Sequence, residues 1–179
     1  MLTYTYVDNS NFFIEGQRLS AVKKGMALNI WDAINRNIFD FSWQPDYGEL
    51  HEIVCKNGHA IGYAKMWGSP PPYDTFWAKR EKEGFQVKTY EKSYGKEKMV
   101  DTAIVTQMIE DSFSIDKLNG EICLVAGDKD YVPAVESLKK RGYIVKVFFW
   151  GHAAGELRKA ASKFINLDNY FDNLKSKIK

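Results

Sequence analysis

The stretch EICLVAGDKDYVPAVESLKKRGYIVKVFFW, residues 121–150, contains a complete strand–helix–strand unit. Its apolar run at 122–126 is short and unbroken, which predicts a strand buried on both faces of a sheet. Pro133 stands where the first turn of the following helix is expected, and Gly142 stands at the end of that helix. The run at 144–150 predicts a second strand, parallel to the first and reached by a right-handed crossover.

Strands and helices alternate through the rest of the chain. Further strands are predicted at 2–7, 60–66 and 85–90, with a short edge strand at 164–167. Helices are predicted at 12–26, 29–39, 46–56, 73–83, 100–112 and 156–163. This alternation predicts a single α/β domain over residues 1–179, with a mainly parallel, Rossmann-like central sheet covered by helices on both faces.

Composition narrows the functional class only a little. The 179 residues are 45% apolar and 27% charged, and the net charge of +2 permits a nucleic-acid partner without requiring one. Cys55 and Cys123 are expected to be reduced, packed thiols of a cytoplasmic protein, because no signal peptide or membrane-length apolar run is visible. The chain has neither G-x-G-x-x-G nor a P-loop, so a dinucleotide or NTP site lacks its phosphate cradle.

Four aspartates are expected at one edge of the predicted sheet. Asp8 ends the first strand, Asp101 opens a helix, and Asp128 and Asp130 follow the strand at 122–126. Ligands of open α/β sheets bind at the carboxyl ends of the strands. Carboxylates gathered there repel one another, and oxygen ligands favour Mg²⁺ or Mn²⁺ over zinc. The pattern therefore predicts a metal or phosphate site that activates a water against a phosphodiester.

Each of these acids also has an ordinary structural explanation. Asp8 is placed to cap the helix that follows it, and Asp130 is placed to cap the helix containing Pro133. Asp101 suits the positive end of a helix dipole. The paired D-x-D element is a weak signal by itself, so the hypothesis rests on all four acids sharing one edge.

Several motifs, taken in order, resemble those of one nuclease family. VDNSN at 7–11 is similar to the D-x-x-N opening of NYN domains, the branch of PIN-like nucleases that includes the LabA-like proteins. KMVDTAIVTQMIED at 98–111 resembles their K-x-x-D helix start, and LVAGDKDYVPAVESLKKRGYIVKVF at 124–148 resembles their S/T-G-D-x-D-F/Y segment. The likeness covers most of the chain and is weakest at 27–55.

The resemblance implies a PIN-type fold, Mg²⁺ or Mn²⁺ as the cofactor, and ribonuclease activity that leaves 5′-phosphate and 3′-hydroxyl ends. The family's acidic positions correspond here to Asp8, Asp101, Asp128 and Asp130, its asparagine to Asn11, and its lysine to Lys98. Two departures stand out: Ala126 replaces the usual Ser or Thr, and Met99 replaces a common glycine.

The sequence thus predicts a metal-dependent endoribonuclease acting on single-stranded RNA, with catalytic and metal-binding roles for the four aspartates and a substrate-positioning role for Asn11. Lysines interleaved with tyrosines before Asp101 suit RNA binding, and the chosen candidates are Lys92, Lys96 and Lys98. The alternative is a non-catalytic RNA-binding or regulatory module of the same fold. Toprim and HAD phosphoryl-transfer folds are disfavoured, because no glutamate follows the first acidic strand and D-x-D-x-T is missing. No membrane partner is expected, and homodimerisation is left open.

Overall fold

Six strands form one sheet in the computed structural model, which describes residues 1–56, 59–69, 75–90 and 99–177. The strands are β1 (Leu2–Asp8), β2 (Ala60–Gly68), β3 (Gln86–Thr89), β4 (Gly120–Val125), β5 (Ile144–Phe149) and β6 (Lys163–Asn166). Their order is β3-β2-β1-β4-β5-β6, and each neighbouring pair is parallel. The predicted α/β class and parallel sheet are therefore confirmed. This order is that of a doubly wound α/β fold.

Seven α-helices connect or flank the strands within the described ranges. They are α1 (Asn9–Lys23), α2 (Ile30–Asn35), α3 (Tyr47–His51), α4 (Thr75–Lys82), α5 (Val100–Asp111), α6 (Val132–Lys140) and α7 (Gly155–Ala160). A π-helical turn, Glu52–Lys56, extends α3, and 3₁₀ turns occupy Lys129–Tyr131 and Leu167–Tyr170. None of the helices in the described part of the chain is long and apolar enough to cross a membrane.

Two apolar clusters cover the two faces of the sheet. The first contains Phe12, Trp43 and Trp150, which pack α1 against β5 and the segments around α3. The second contains Ile104, Val135 and Leu157, which bring α5, α6 and α7 onto the opposite face. Helices on both faces explain why all six residues of β4 are buried, as the unbroken apolar run predicts.

Gly16 has a packing role that its low helix propensity hides. A Cβ at this position would lie 2.4 Å from the Trp43 ring and 3.0 Å from the Trp150 ring. The missing side chain lets α1 approach the aromatic core, where Phe12 and Trp150 stack at 5.2 Å. Close packing thus compensates for the expected weakening of the helix by glycine.

The helix ends differ from the sequence-based expectation in ways that have local causes. The helix α1 begins at Asn9 rather than Phe12, because the Asp8 carboxylate accepts a hydrogen bond from the Asn11 amide. The predicted helix at 29–39 is shortened to α2, and Asn37, with φ of 53°, lies beyond its end in the left-handed region. Gly142, with φ of 92°, ends α6 as predicted.

Candidate active site

The strand order reverses between β1 and β4, and this switch point is where side chains of the two strand ends come together. Asp8 is the last residue of β1, and Asp128 lies three residues beyond the end of β4. Between them, Gly127 packs so closely on Phe149 that a Cβ would lie 2.1 Å from the ring. The close approach brings the segment after β4 against the end of β5 and fixes where Asp128 emerges.

Asp8 is held by two hydrogen bonds at the bottom of this site. Its Oδ1 accepts from the Asn11 backbone N–H at 3.1 Å, and its Oδ2 accepts from the Tyr131 hydroxyl at 2.8 Å. The residue is only 3% exposed. Asp8 therefore does cap α1, as the structural explanation predicts. Capping alone, however, does not require the carboxylate to be buried or its other oxygen to accept a hydrogen bond from a tyrosine.

Tyr131 links two of the four aspartates, and sequence reasoning assigned it no role. Its ring is fully buried, and its hydroxyl lies 2.8 Å from Asp8 Oδ2 and 3.4 Å from Asp101 Oδ1. Burial, together with the charges of Asp8 and Asp101, raises the pKa of Tyr131 far above its ordinary value, so the hydroxyl remains a donor. The first turn of α5 and the 3₁₀ turn before α6 are joined at this atom.

Asn11 connects α1 to the segment after β4. Its Nδ2 donates to Asp128 Oδ2 at 3.0 Å, and its Oδ1 accepts from the Gly127 N–H at 2.7 Å. These two bonds use both ends of the amide and fix the orientation of the Asp128 carboxylate. The position expected for Asn11 at the site is thus observed, with a carboxylate as its partner.

The electrostatics of the site are those of crowded carboxylates. Burial raises the pKa of Asp8 to about 7, against the lowering effect of the bonds from Asn11 and Tyr131, and the charges of Asp101 and Asp128 raise it further. Desolvation also raises the pKa of Asp128, and the charges of Asp101, Glu15 and Asp130 add to this despite the bond from Asn11. Asp8, Asp101 and Asp128 therefore interact as one group.

Asp130 occupies the rim of the site. It is exposed on the 3₁₀ turn, and its charge contributes to the raised pKa of Asp128. It does not cap α6, because the residue before that helix is Tyr131 and no side-chain capping bond is formed there. The capping explanation for Asp130 is wrong, whereas its placement beside Asp128 is as expected.

The predicted RNA-binding lysines, Lys92, Lys96 and Lys98, lie outside the described residues. Ala126, in contrast, is fully buried in the apolar cluster under α5 and α6. Met99, the second departure from the family pattern, is 62% exposed at the start of α5.

Glu15 and His152 form a second feature that sequence reasoning missed, since His152 was expected to be a plain loop residue. His152 Nε2 lies 2.8 Å from Glu15 Oε2, and Glu15 also pairs with Arg18. Glu15 is one of the charges that raise the pKa of Asp128. The sequence does contain one signal for Glu15: it lies four residues after Asn11, which places both side chains on one face of α1.

The candidate ligand atoms are of the type that a hard divalent cation prefers, but in this structure they are not grouped closely around one point. The candidate ligands are carboxylate oxygens only, and their mutual repulsion favours a bound cation. Within the described ranges, however, no group of three or more His, Cys, Asp or Glu side chains is close enough to hold a metal ion. Mg²⁺ is often held by one or two carboxylates together with waters and substrate phosphates, so the residues fit an ion of this kind.

Comparison with known proteins identifies the family. The model of the NYN domain matches residues 7–168, which is most of the chain. The chain belongs to the NYN domain family. This is a PIN-like nuclease family, so the resemblance noted in the motifs is confirmed at the level of the family. The match begins one residue before Asp8 and spans all four candidate aspartates.

Comparison with other proteins adds information on the fold alone. No protein with a curated description matches the chain. Among solved structures, the crystal structure of a protein of unknown function from Vibrio parahaemolyticus is similar, with a TM-score of 0.69 and 18% sequence identity. The match covers 98% of this NYN chain and 96% of the other. At this identity the likeness supports the architecture and carries no information about activity.

Proposed function

We propose that this NYN protein is a divalent-metal-dependent endoribonuclease that hydrolyses phosphodiester bonds of single-stranded RNA. The observation that carries the proposal is that hydrogen bonds link three acids: the Tyr131 hydroxyl lies between Asp8 and Asp101, and Asn11 contacts both Asp8 and Asp128. The three acids come from β1, α5 and the segment after β4. The charges of Asp101 and Asp128 raise the pKa of Asp8, and the charge of Asp101 also raises the pKa of Asp128.

A purely structural role would explain this arrangement poorly. Buried carboxylates that serve stability are normally paired with Lys or Arg. Within the described ranges, Asp8 is buried and takes part in no ion pair; Asp128 takes part in none either, but it is exposed. An arrangement that raises carboxylate pKa values at a sheet switch point instead indicates a functional site.

Asp8, Asp101 and Asp128 are the residues proposed to hold Mg²⁺ or Mn²⁺, with Asp130 available at the rim. A bound ion of this kind would supply Lewis acidity, activating a water for attack on phosphorus and neutralising charge on the phosphate. In the proposed reaction the P–O3′ bond breaks, which leaves a 3′-hydroxyl on one fragment and a 5′-phosphate on the other.

The remaining residues position these groups. Tyr131 and the Asn11 N–H hold the Asp8 carboxylate, and the Asn11 side chain holds the Asp128 carboxylate. Lys92, Lys96 and Lys98 are proposed to bind phosphates of the RNA, with Lys98 nearest in sequence to Asp101.

The test is incubation of labelled single-stranded RNA with the protein in Mg²⁺, Mn²⁺ or EDTA, followed by analysis of the product ends. Cleavage that needs the metal and yields 5′-phosphate ends is the expected result. Cleavage that persists in EDTA would show that the metal is not required, and cyclic phosphate ends would show attack by the substrate's own 2′-hydroxyl; either result would contradict the proposal.

A non-catalytic RNA-binding role is the second candidate. Two observations favour it: Ala126 stands where the family usually carries a hydroxyl, and three metal-binding side chains do not converge within the described residues. RNA binding that is independent of metal, with no cleavage under any condition, would establish this role in place of the enzymatic one.

A further inference from the structure

Two grooves border α7: one lies between α7 and β6, and the other lies between α7 and α6. One, of about 370 Å³, is lined by Gly155, Arg158, Lys159 and Phe164. The other, of about 290 Å³, is lined by Glu136, Lys139, Lys140, Lys159 and Ala160. Lys159 lines both grooves, and the two together are here called the α6–α7 groove. Its lining contains four cationic side chains and one carboxylate.

The cations of this groove are not all explained by structural contacts. Lys139 is structural in part, because its Nζ donates to the Ala160 carbonyl at 2.5 Å and closes the end of α7. Lys140 and Lys159 are exposed, and neither forms an ion pair with any residue in the described part of the chain. Complementing a helix dipole is worth little at exposed positions and does not require two helices to direct lysines into one groove.

Arg158 is held in place before any ligand arrives. Its guanidinium lies 4.7 Å from the centre of the Phe164 ring, and its Nη1 donates to the Gly151 carbonyl at 3.2 Å. A stacked guanidinium loses little conformational freedom on binding and retains other N–H donors for an anion. Planar donors of this kind match phosphate oxygens.

The groove begins next to the acidic site. The Ala154 N–H donates to the Gly127 carbonyl at 2.8 Å, directly before Asp128, and α7 starts at the following residue. Arg158 lies four residues beyond Ala154, which corresponds to about 6 Å along a helix axis. The helix α7 also packs against the 3₁₀ turn that carries Asp130. A strand of nucleic acid that leaves the aspartates would therefore meet Arg158 first and reach Lys140 later, because Lys140 lies in the last turn of α6, about 12 Å from the start of that helix.

We infer that the α6–α7 groove binds the phosphate backbone of single-stranded RNA on one side of the scissile bond. This inference rests on the proposed function for the choice of RNA as the ligand. The groove reads no base sequence, because its cations meet phosphates. Its part is to hold the flanking nucleotides so that one phosphodiester stays at the acidic edge against the repulsion of the carboxylates.

The test measures binding of a fluorescein-labelled 12-nucleotide oligouridylate in EDTA over a range of salt concentrations. The variant is Lys140→Ala combined with Lys159→Ala, since both side chains are exposed and form no ion pair in the described part of the chain. For two lost phosphate contacts, the slope of log affinity against log salt should become less negative by about 1.4, and affinity at low salt should fall about fivefold. Adding Arg158→Ala should weaken binding further, and Arg158→Lys should restore only part of the loss.

The matched control is Lys79→Ala combined with Lys82→Ala, which removes the same charge from exposed positions on α4. A control slope equal to that of the wild type is the expected result. Equal losses in both double variants, unchanged binding in the groove variant, or no RNA binding by the wild type would each overturn the inference. The binding assay contains EDTA, so its result does not depend on metal-dependent cleavage. The proposed function is tested separately, by the metal-dependent cleavage assay on the wild type.

Discussion

Asp8, at the end of β1, and Asp111, at the end of α5, show how differently one fold treats two carboxylates. At Asp111, burial raises the pKa, but bonds from Lys65, Tyr63, Tyr6 and Gln107 outweigh it and the pKa is lowered. At Asp8, burial outweighs the bonds from Asn11 and Tyr131, and the pKa rises to about 7. Asp111 is the less buried of the two carboxylates, accepts more hydrogen bonds and has a lysine among its partners, whereas neither partner of Asp8 is a cation.

The Asp111 site contains its own counterion. Lys65 Nζ lies 2.6 Å from Asp111 Oδ2, which also accepts from the Tyr6 hydroxyl at 2.8 Å. Gln107 supplies a bond to the other oxygen at 2.8 Å. The chain is therefore able to neutralise a carboxylate between β1, β2 and α5. No described residue supplies such a counterion at Asp8, which is consistent with the cation site proposed at the acidic edge.

The largest expected effect is a contrast between Asp128→Asn and Asp111→Asn. Asp128→Asn should reduce RNA cleavage by about a hundredfold or more, because it removes a proposed metal ligand. Its melting temperature without metal should be unchanged or higher, because a repelling charge is lost while the bond from Asn11 can be kept. Asp111→Asn should lower the melting temperature and leave cleavage intact. The comparison fails if both variants lose stability and activity together.

The next effect sharpens the role of Lys65. Lys65→Met leaves Asp111 partly buried without its counterion, and the free energy of unfolding should fall by about 2–3 kcal/mol in urea denaturation. The control is Lys56→Met, which breaks the exposed pair with Glu52 and should cost under about 1 kcal/mol. Equal effects of the two substitutions would mean that the Asp111 cluster is no more than a surface ion pair.

The smallest effect is a pH dependence of stability. A carboxyl whose folded pKa is raised from 3.8 to about 7 binds more protons in the folded than in the unfolded state between these values. Metal-free stability should therefore increase as the pH falls from 7 to 5, by roughly 1–2 kcal/mol from Asp8. Asp8→Asn should remove this increment. The pKa of Asp111 is lowered, so the stability that this residue contributes to the protein should be lost only below about pH 4.

The sequence predicts the frame of the site but not its contacts. Apolar runs and helix-ending glycines such as Gly142 locate β1, β4 and β5, since these signals are local. Asp8 and Tyr131 are 123 residues apart, and Asn11 and Asp128 are 117 apart. No spacing rule connects such pairs, so the acids could be placed at one edge while the tyrosine that joins Asp8 to Asp101 was missed.

The same limit explains the other unexpected residues. Glu15 and His152 meet across 137 residues, and the Lys65–Asp111 pair spans 46. Composition and periodicity assign each residue to an element, whereas the identity of its partner depends on the strand order of the whole sheet. The sequence alone therefore does not show that Lys65 in β2 is the counterion of Asp111 in α5.

The most direct test of the central claim is calorimetric titration of the protein with Mn²⁺ at pH 6, 7 and 8. If the acidic edge is a cation site, wild-type affinity should rise with pH, because Asp8 and Asp128 must release protons to bind the ion. The combined Asp8→Asn and Asp128→Asn variant should lose this binding, while Asp111→Asn should keep it. Absence of Mn²⁺ binding by the wild type at pH 8, or equal binding by the double variant, would contradict the account.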